Sequence, residues 1–197
     1  MRTVSMSGSL RGNVGKKDAK KLRKEGLVPC VIYGGKDQVH FFTQEKQFKD
    51  IIYTPKACFV ELSIDGQKRN AILQEIQYHP VSDSILHVDF LEFFGDKPVT
   101  LSVPVTTKGT SPGVLKGGKL AQKVKRVKVT ALPDKMPEQI VIDITPLDIN
   151  DAVRAKDLRT EDYHINLPQN NIIVTVASSR TAVAELDSDV ADGEKAE

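Results

Sequence analysis

Apolar and polar residues alternate along several stretches of this chain, a pattern typical of strands that bury one face. The clearest stretch places apolar side chains at every second position, at Cys58, Val60, Leu62 and Ile64. Asp65-Gly66 follows as a hairpin turn signal, and Arg69 to Gln77 supplies the returning strand. The segment HVDFLEFF at 87–94 indicates one more strand. Together these segments predict an antiparallel sheet in the first half of the chain.

Two segments of the same half have helical spacing instead. Residues 15–26 would place Leu22 toward the body of the protein, with a terminating glycine at Gly26. Residues 44–52 carry apolar side chains three and four positions apart, and Pro55 stops the segment. The first half is therefore predicted to be a curled, barrel-like antiparallel β-sheet with two short helices.

The pattern breaks at residues 95–98, and we predict a domain boundary there. Residues 1–95 would form the first domain, and residues 96–180 would form a β-rich C-terminal domain. Alternation over 99–105 is followed by a loop rich in glycine, proline and lysine, with further β-rich stretches at 124–132, 139–145 and 172–177. Little helical spacing is present, so the second domain is predicted to be all-β. The overall fold class is mainly β with minor α.

Charge is distributed very unevenly along the 197 residues, although the net charge is only +2. Residues 1–36 hold nine basic and two acidic side chains, so this end is expected to attract polyanions. Residues 181–197 hold one basic and six acidic side chains with no aromatic residue, and we predict a disordered tail. The sequence has no apolar run long enough for a signal peptide or a membrane span, which predicts a cytoplasmic protein.

The helix predicted at 15–26 carries a basic stripe. Its lysines at positions i, i+3, i+4 and i+7 are Lys17, Lys20, Lys21 and Lys24. Ammonium groups so placed repel one another, and the arrangement is best explained by an anion that neutralises them, although a solvated surface would give the same pattern. A polar loop with Arg11 precedes the helix, and a strand ending in Tyr33 follows it. These residue types are the ones that bind phosphates and 2′-hydroxyls.

A second candidate cluster contains His79, His87 and Asp89. On a strand, His87 and Asp89 project to the same face, while Val88 and Phe90 point toward the core. The outward pair could bind bases and riboses, begin a metal site, or lie on an ordinary solvated face. A metal site usually needs three or four convergent ligands, and Asp83 would have to come from a turn. We therefore expect no metal.

Motifs of enzymes are not convincing in this sequence. Residues 113–119 match GxxxxGK, but Leu120 occupies the position at which a P-loop needs serine or threonine to hold Mg²⁺. We interpret this stretch as a glycine-rich hairpin loop. Cys30 and Cys58 form no CxxC pair and are expected to be small buried hydrophobic residues. No catalytic residue, cofactor or small-molecule substrate is predicted.

Several motifs in order resemble one known family. They are RGNVGKKDAKKLRKEGLVPCVIYGG, QEIQYHP and LHVDFLEF in the first half, and VPVTTKGTSPGVLKGGKLAQ, MPEQIVIDITPLDI and VRAKDL in the second. The chain is similar over nearly its whole length to the long form of the bacterial ribosomal protein L-twenty-five family, also called the general stress protein CTC family. The resemblance implies a non-enzymatic component of the large ribosomal subunit that binds 5S rRNA in the central protuberance.

The resemblance also implies which residues contact RNA. With the lysines of the basic stripe, the predicted RNA-binding set is Arg11, Lys16, Lys17, Lys20, Lys21, Arg23, Tyr33, Gln77, His79, His87 and Asp89. The sequence departs from the family at Lys20 and Lys21, where arginine is common, and at Asp18, an acid within the basic segment. Lysine keeps the charge but lacks the planar fork of arginine.

Three functional hypotheses follow. The leading one is a structural rRNA-binding protein whose partners are 5S rRNA and neighbouring large-subunit proteins, with no membrane contact. The second is a metal-dependent hydrolase that uses His79, His87 and Asp89. The third is a stress-related protein-interaction module, based on the β-rich second domain and the acidic tail.

Overall fold

A computed structural model describes residues 1–35, 37–158 and 162–178. The first seven strands are β1 (Arg2–Leu10), β2 (Leu27–Tyr33), β3 (Val39–Gln44), β4 (Cys58–Ile64), β5 (Gln67–Tyr78), β6 (Ile85–Glu92) and β7 (Val99–Lys108). The other strands are β8 (Lys119–Gln122), β9 (Arg126–Ala131), β10 (Ile140–Asp143), β11 (Ala152–Arg154), β12 (His164–Ile165) and β13 (Ile172–Ala177). The predicted acidic tail, residues 181–197, lies outside the described residues.

The helices are few and short. They are α1 (Lys16–Lys24), α2 (Lys49–Ile52) and α3 (Pro112–Leu115), with 3₁₀ turns at Glu45–Phe48, Pro133–Lys135 and Ala155–Leu158. The predicted fold class, mainly β with minor α, is confirmed. None of the helices in the described ranges is long and apolar enough to cross a membrane.

The first six strands close into a barrel in the order β1-β3-β2-β6-β5-β4. The hairpin predicted from Asp65-Gly66 is confirmed as the β4–β5 connection, with φ of 46° and 86° at these two residues. Two neighbouring pairs, β1–β4 and β2–β6, are parallel. The predicted antiparallel arrangement holds for the other four neighbouring pairs of the barrel, whereas these two pairs join strands that are distant in sequence and run in the same direction.

Strands β1 and β3 are not predicted by the sequence analysis. In β1 the inward positions include Gly8, where a Cβ atom would lie 2.6 Å from the Phe41 ring of β3. The two strands approach so closely here that the position requires glycine. Glycine interrupts the apolar alternation from which a strand is predicted. In β3, the buried Thr43 donates from Oγ1 to the Ser7 carbonyl at 2.7 Å.

Aromatic side chains fill the barrel. Phe41 and Phe90 are fully buried with ring centroids 5.9 Å apart, and Phe48 packs on Phe90 at 6.4 Å. Phe48 belongs to the segment predicted as a helix at 44–52, which is a 3₁₀ turn followed by α2. This interior supports the outer face on which the candidate site lies.

The described chain divides into two compact units. The first comprises Met1–Leu101 and Thr130–Glu138, and the second comprises Ser102–Val129 and the described residues from Gln139 onward. Strands of the later part form a four-stranded sheet in the order β10-β7-β9-β12 and a three-stranded sheet in the order β11-β13-β8. Since β7 and β8 lie in different sheets, the glycine-rich stretch between them is not a hairpin loop, and α3 occupies part of it. The domain boundary at residue 95 stays a prediction.

Candidate nucleic-acid interface

Helix α1 follows the sequence prediction and is anchored by one apolar side chain. Gly15 precedes it in an extended conformation, and Gly26 follows with φ of 75°, a left-handed value that glycine adopts without strain. Leu22 is buried against the body of the barrel unit. Asp18 in the first turn and basic residues in the last turn are favourable with the helix dipole. The helix is thus held in one orientation.

The lysines of α1 are all exposed, namely Lys16, Lys17, Lys20, Lys21 and Lys24. Within the described residues, no ion pair joins any of them to an acid. At 100° per residue, the stripe from Lys17 to Lys24 faces away from Leu22 toward solvent. The helix therefore presents an uncompensated positive surface.

A groove of about 300 Å³ lies beside α1. Its lining includes Arg11, Lys16, Arg23, Pro29 and His87, from the loop before the helix, the helix itself, β2 and β6. Arg23 donates from Nε to the carbonyl of Leu86 at 2.9 Å, which ties the helix to β6. The structure thus gathers four of the predicted residues in one place, whereas the stripe from Lys17 to Lys24 lies on the neighbouring side of the helix.

Arg11 is held inside the protein rather than extended into solvent. Its side chain is only 6% exposed, and Nη2 donates to Oδ2 of Asp18 at 2.9 Å. The backbone N–H of Arg11 donates to the carbonyl of His40 at 3.0 Å. The buried Nε has no hydrogen-bond partner among the described residues. Arg11 and Asp18 therefore fix the loop against the start of α1.

His87 and Asp89 form the outward pair that the sequence predicts. Their flanking residues Val88 and Phe90 are fully buried, whereas the side chains of His87 and Asp89 are 26% and 27% exposed. Nδ1 of His87 lies 2.6 Å from Oδ1 of Asp89. Despite this short distance the two groups are not aligned for a hydrogen bond, and the buried Oδ1 of Asp89 has no hydrogen-bond partner among the described residues.

Tyr33 lies close to this pair on the outer side of β2. Burial raises the pKa of its hydroxyl above the ordinary value, and the charges of Asp89 and Glu75 raise it further. Burial likewise raises the pKa of the Cys30 thiol strongly, with Asp89 adding to the effect and Arg11 opposing it. The charges of Arg11 and Asp89 therefore act on β2, the strand that ends in Tyr33. Two carboxylates, those of Asp89 and Glu75, lie near Tyr33 on this surface.

Gln77 extends the surface onto β5, where it pairs with His87 across the strands, as Glu75 pairs with Asp89. Glu75 is not among the predicted site residues, although its alternation with Gln77 places it on the outward face of β5. Pro29, on the outward side of β2, is also missed because its buried position depends on helix packing.

His79 has a local structural role in the turn between β5 and β6. Its Nδ1 accepts from the backbone N–H groups of Val81 and Ser82, each at 3.3 Å. Across the described part of the chain, no group of three or more histidine, cysteine, aspartate or glutamate side chains could hold a metal ion. His79, His87 and Asp89 are therefore not brought together as metal ligands.

The fold and site define a class: a β-barrel protein with a basic helix and a polar groove on its outer face. Residues 6–90 match the Ribosomal L25p family, and residues 98–180 match the C-terminal domain of ribosomal protein TL5.

Curated relatives agree with these matches. Large ribosomal subunit protein bL25 of Amoebophilus asiaticus (strain 5a2) is 42% identical over 180 residues, covering 91% of this chain and 92% of the relative. The protein of the same name from Cytophaga hutchinsonii is 42% identical over 185 residues, covering 94% and 96%. That from Christiangramia forsetii is 40% identical over 185 residues, covering 93% and 84%. The chain belongs to the L25p family of ribosomal proteins.

Proposed function

We propose that this protein is a structural component of the large ribosomal subunit and that the outer face of its barrel binds 5S rRNA. One observation carries the proposal: Lys16 and Arg23 of α1 line the same groove as His87 of β6. The groove joins groups that attract phosphates to groups that can read an RNA surface. Family membership supports the ribosomal context, and we propose the cytoplasm as the place of action and the central protuberance as the position in the subunit.

Phosphate binding is the first part of the mechanism. The exposed ammonium groups of α1 neutralise backbone phosphates and release counterions, which relieves their mutual repulsion in the free protein. Arg23, tied through Nε to Leu86, keeps the rest of its guanidinium fork for a phosphate oxygen. These contacts fix the position of the RNA but carry no sequence information.

Recognition of RNA shape is the second part. His87, Asp89, Gln77 and Tyr33 offer donors and acceptors along the strand face, where the wide minor groove of RNA displays base edges and 2′-hydroxyls. Asp89 and Glu75 accept hydrogen bonds but repel phosphates. The carboxylates therefore favour a minor-groove edge over a phosphate backbone at this part of the surface, and binding rather than catalysis is the role we infer.

The hydrolase hypothesis has no such support, because His79 Nδ1 is used within its own turn and faces backbone donors. Neighbouring large-subunit proteins remain expected partners. No structural observation favours the stress-related interaction module over the ribosomal role.

The test is the salt dependence of 5S rRNA binding by a variant in which Lys17, Lys20, Lys21 and Lys24 are all changed to glutamine. Its matched control changes Lys46, Lys49, Lys56 and Lys97 of the same unit to glutamine, with an equal loss of charge. For each helix lysine that contacts a phosphate, the slope of log affinity against log salt should become shallower by about 0.7 to 0.9. Equal slopes for the two variants would contradict the proposal.

A further inference from the structure

The second compact unit carries a basic segment of its own. Residues 112–129 contain no acidic residue and six basic ones: Lys116, Lys119, Lys123, Lys125, Arg126 and Lys128. Lys116 forms an ion pair with Asp148 at 2.6 Å. The side chains of the other five, which we call the β8–β9 ridge, are exposed and have no ion pair within the described residues.

The backbone beneath the ridge is firmly held. Lys123 donates its N–H to the carbonyl of Ile173 at 2.9 Å, and the carbonyl of Lys125 accepts from Val105 at 2.9 Å. The charged side chains therefore sit on a segment fixed between two sheets rather than on a loose loop. A rigid frame lowers the entropy cost of binding a partner.

Strand β9 sets the spacing of two charges. Val127 and Val129 are 1% and 0% exposed and face the interior, so Arg126 and Lys128 share the outward face. Two residues of strand place their Cα atoms about 7 Å apart. Like charges held this close on one face repel, and no acid lies in the segment to compensate them. An external polyanion would remove the repulsion.

The composition of the ridge favours RNA over a protein partner. No large apolar side chain between residues 119 and 131 is exposed, whereas the centre of a protein interface is apolar. No aromatic residue lies there to stack a base. A surface with cations alone fits a phosphate backbone, which is read without regard to sequence.

We propose that the β8–β9 ridge binds the phosphate backbone of large-subunit rRNA outside 5S rRNA. This inference rests on the proposed function, because that function places the second unit near rRNA. It gives the second unit a binding partner, which the sequence alone does not identify.

The experiment uses the full chain bound to saturating 5S rRNA, titrated with the large rRNA of the same subunit purified free of 5S rRNA. Arg126→Gln combined with Lys128→Gln is compared with Lys108→Gln combined with Lys156→Gln, which removes the same charge from exposed positions of the second unit. The ridge variant should lose affinity several-fold, with a salt slope shallower by about 1.4 to 1.8 if both cations contact phosphates. The control should match the parent protein.

The outcomes separate the two proposals. Failure of the 5S complex to form in the first step rejects the proposed function, whatever the ridge does. A 5S complex that forms normally, followed by equal affinities of the ridge and control variants for the large rRNA, overturns the ridge inference alone. Loss of a ribosomal protein partner in the ridge variant, with unchanged RNA affinity, also overturns it and assigns the surface to protein.

Discussion

The two basic surfaces of this molecule differ in what surrounds their charges. Beside α1, lysine and arginine border a groove with His87, and the strand face continues to Gln77 and Asp89. On the β8–β9 ridge, Arg126 and Lys128 alternate with the buried Val127 and Val129, and none of the described grooves includes the ridge cations in its lining. Charge alone supplies attraction, whereas positioned donors and acceptors supply selectivity. In our proposals the barrel face accordingly recognises one RNA, whereas the ridge accepts any phosphate backbone.

The largest expected effect comes from the ion pair that holds the loop at the start of the groove. Asp18→Asn leaves the guanidinium of Arg11, 6% exposed, without its counter-charge. We expect a loss of about 1 to 3 kcal/mol in the free energy of unfolding, because the buried cation is then uncompensated. Denaturant titration of the parent and the variant measures this loss.

The same variant sharpens the comparison through RNA binding. Asp18→Asn makes the barrel face more positive, so a purely electrostatic surface would bind 5S rRNA more tightly. We expect the affinity to fall instead, because the ion pair fixes the loop that borders the groove. The affinities are compared under conditions in which both proteins are folded. A gain in affinity would show that the barrel face works by charge alone, as the ridge is proposed to do.

The second effect concerns selectivity without charge. His87→Ala should weaken 5S rRNA binding about tenfold, or about 1.4 kcal/mol, by removing a hydrogen-bonding group. The salt slope should stay unchanged, because the imidazole is proposed to contact a base or ribose. Binding measured over a salt series, with His164→Ala of the second unit as control, tests this. A shallower slope for His87→Ala would indicate a phosphate contact instead.

The smallest effect compares two arginines. Arg23→Lys removes the Nε bond to Leu86 and should weaken 5S rRNA binding by about 0.5 to 1.5 kcal/mol while keeping the charge. Arg126→Lys should leave binding to the large rRNA unchanged, since the ridge uses only charge. Fluorescence titration of each variant gives both values. An equal loss of RNA affinity for Arg23→Lys and Arg126→Lys would show that the two surfaces do not differ in this way.

Local sequence signals predict some of these features and miss others for physical reasons. Helix α1, the β4–β5 hairpin and the outward position of His87 follow from spacing within one segment. Barrel closure through the parallel β1–β4 pair, by contrast, depends on residues more than fifty positions apart. Glu75 joins the site only through pairing of β5 with β6, which a single strand does not specify.

Local sequence patterns predict the surroundings of some site residues but not of others. The exposure of the α1 lysines follows from helical periodicity. The burial of Arg11 does not, because it depends on where Asp18 and the neighbouring strand lie in space. Similarly, His79 is part of an RNA-contact motif by resemblance, but its hydrogen bonds to the following turn emerge only from the fold.

The most direct test of the central claim is a lysine-reactivity footprint of the unmodified protein with and without 5S rRNA. Acetylation of each ammonium group is measured by mass spectrometry. We predict protection of Lys16, Lys17 and Lys20 on α1, with Lys123 and Lys125 as reactive as in the free protein. Protection confined to the ridge, with the α1 lysines still fully reactive, would contradict the assignment of the barrel face to 5S rRNA.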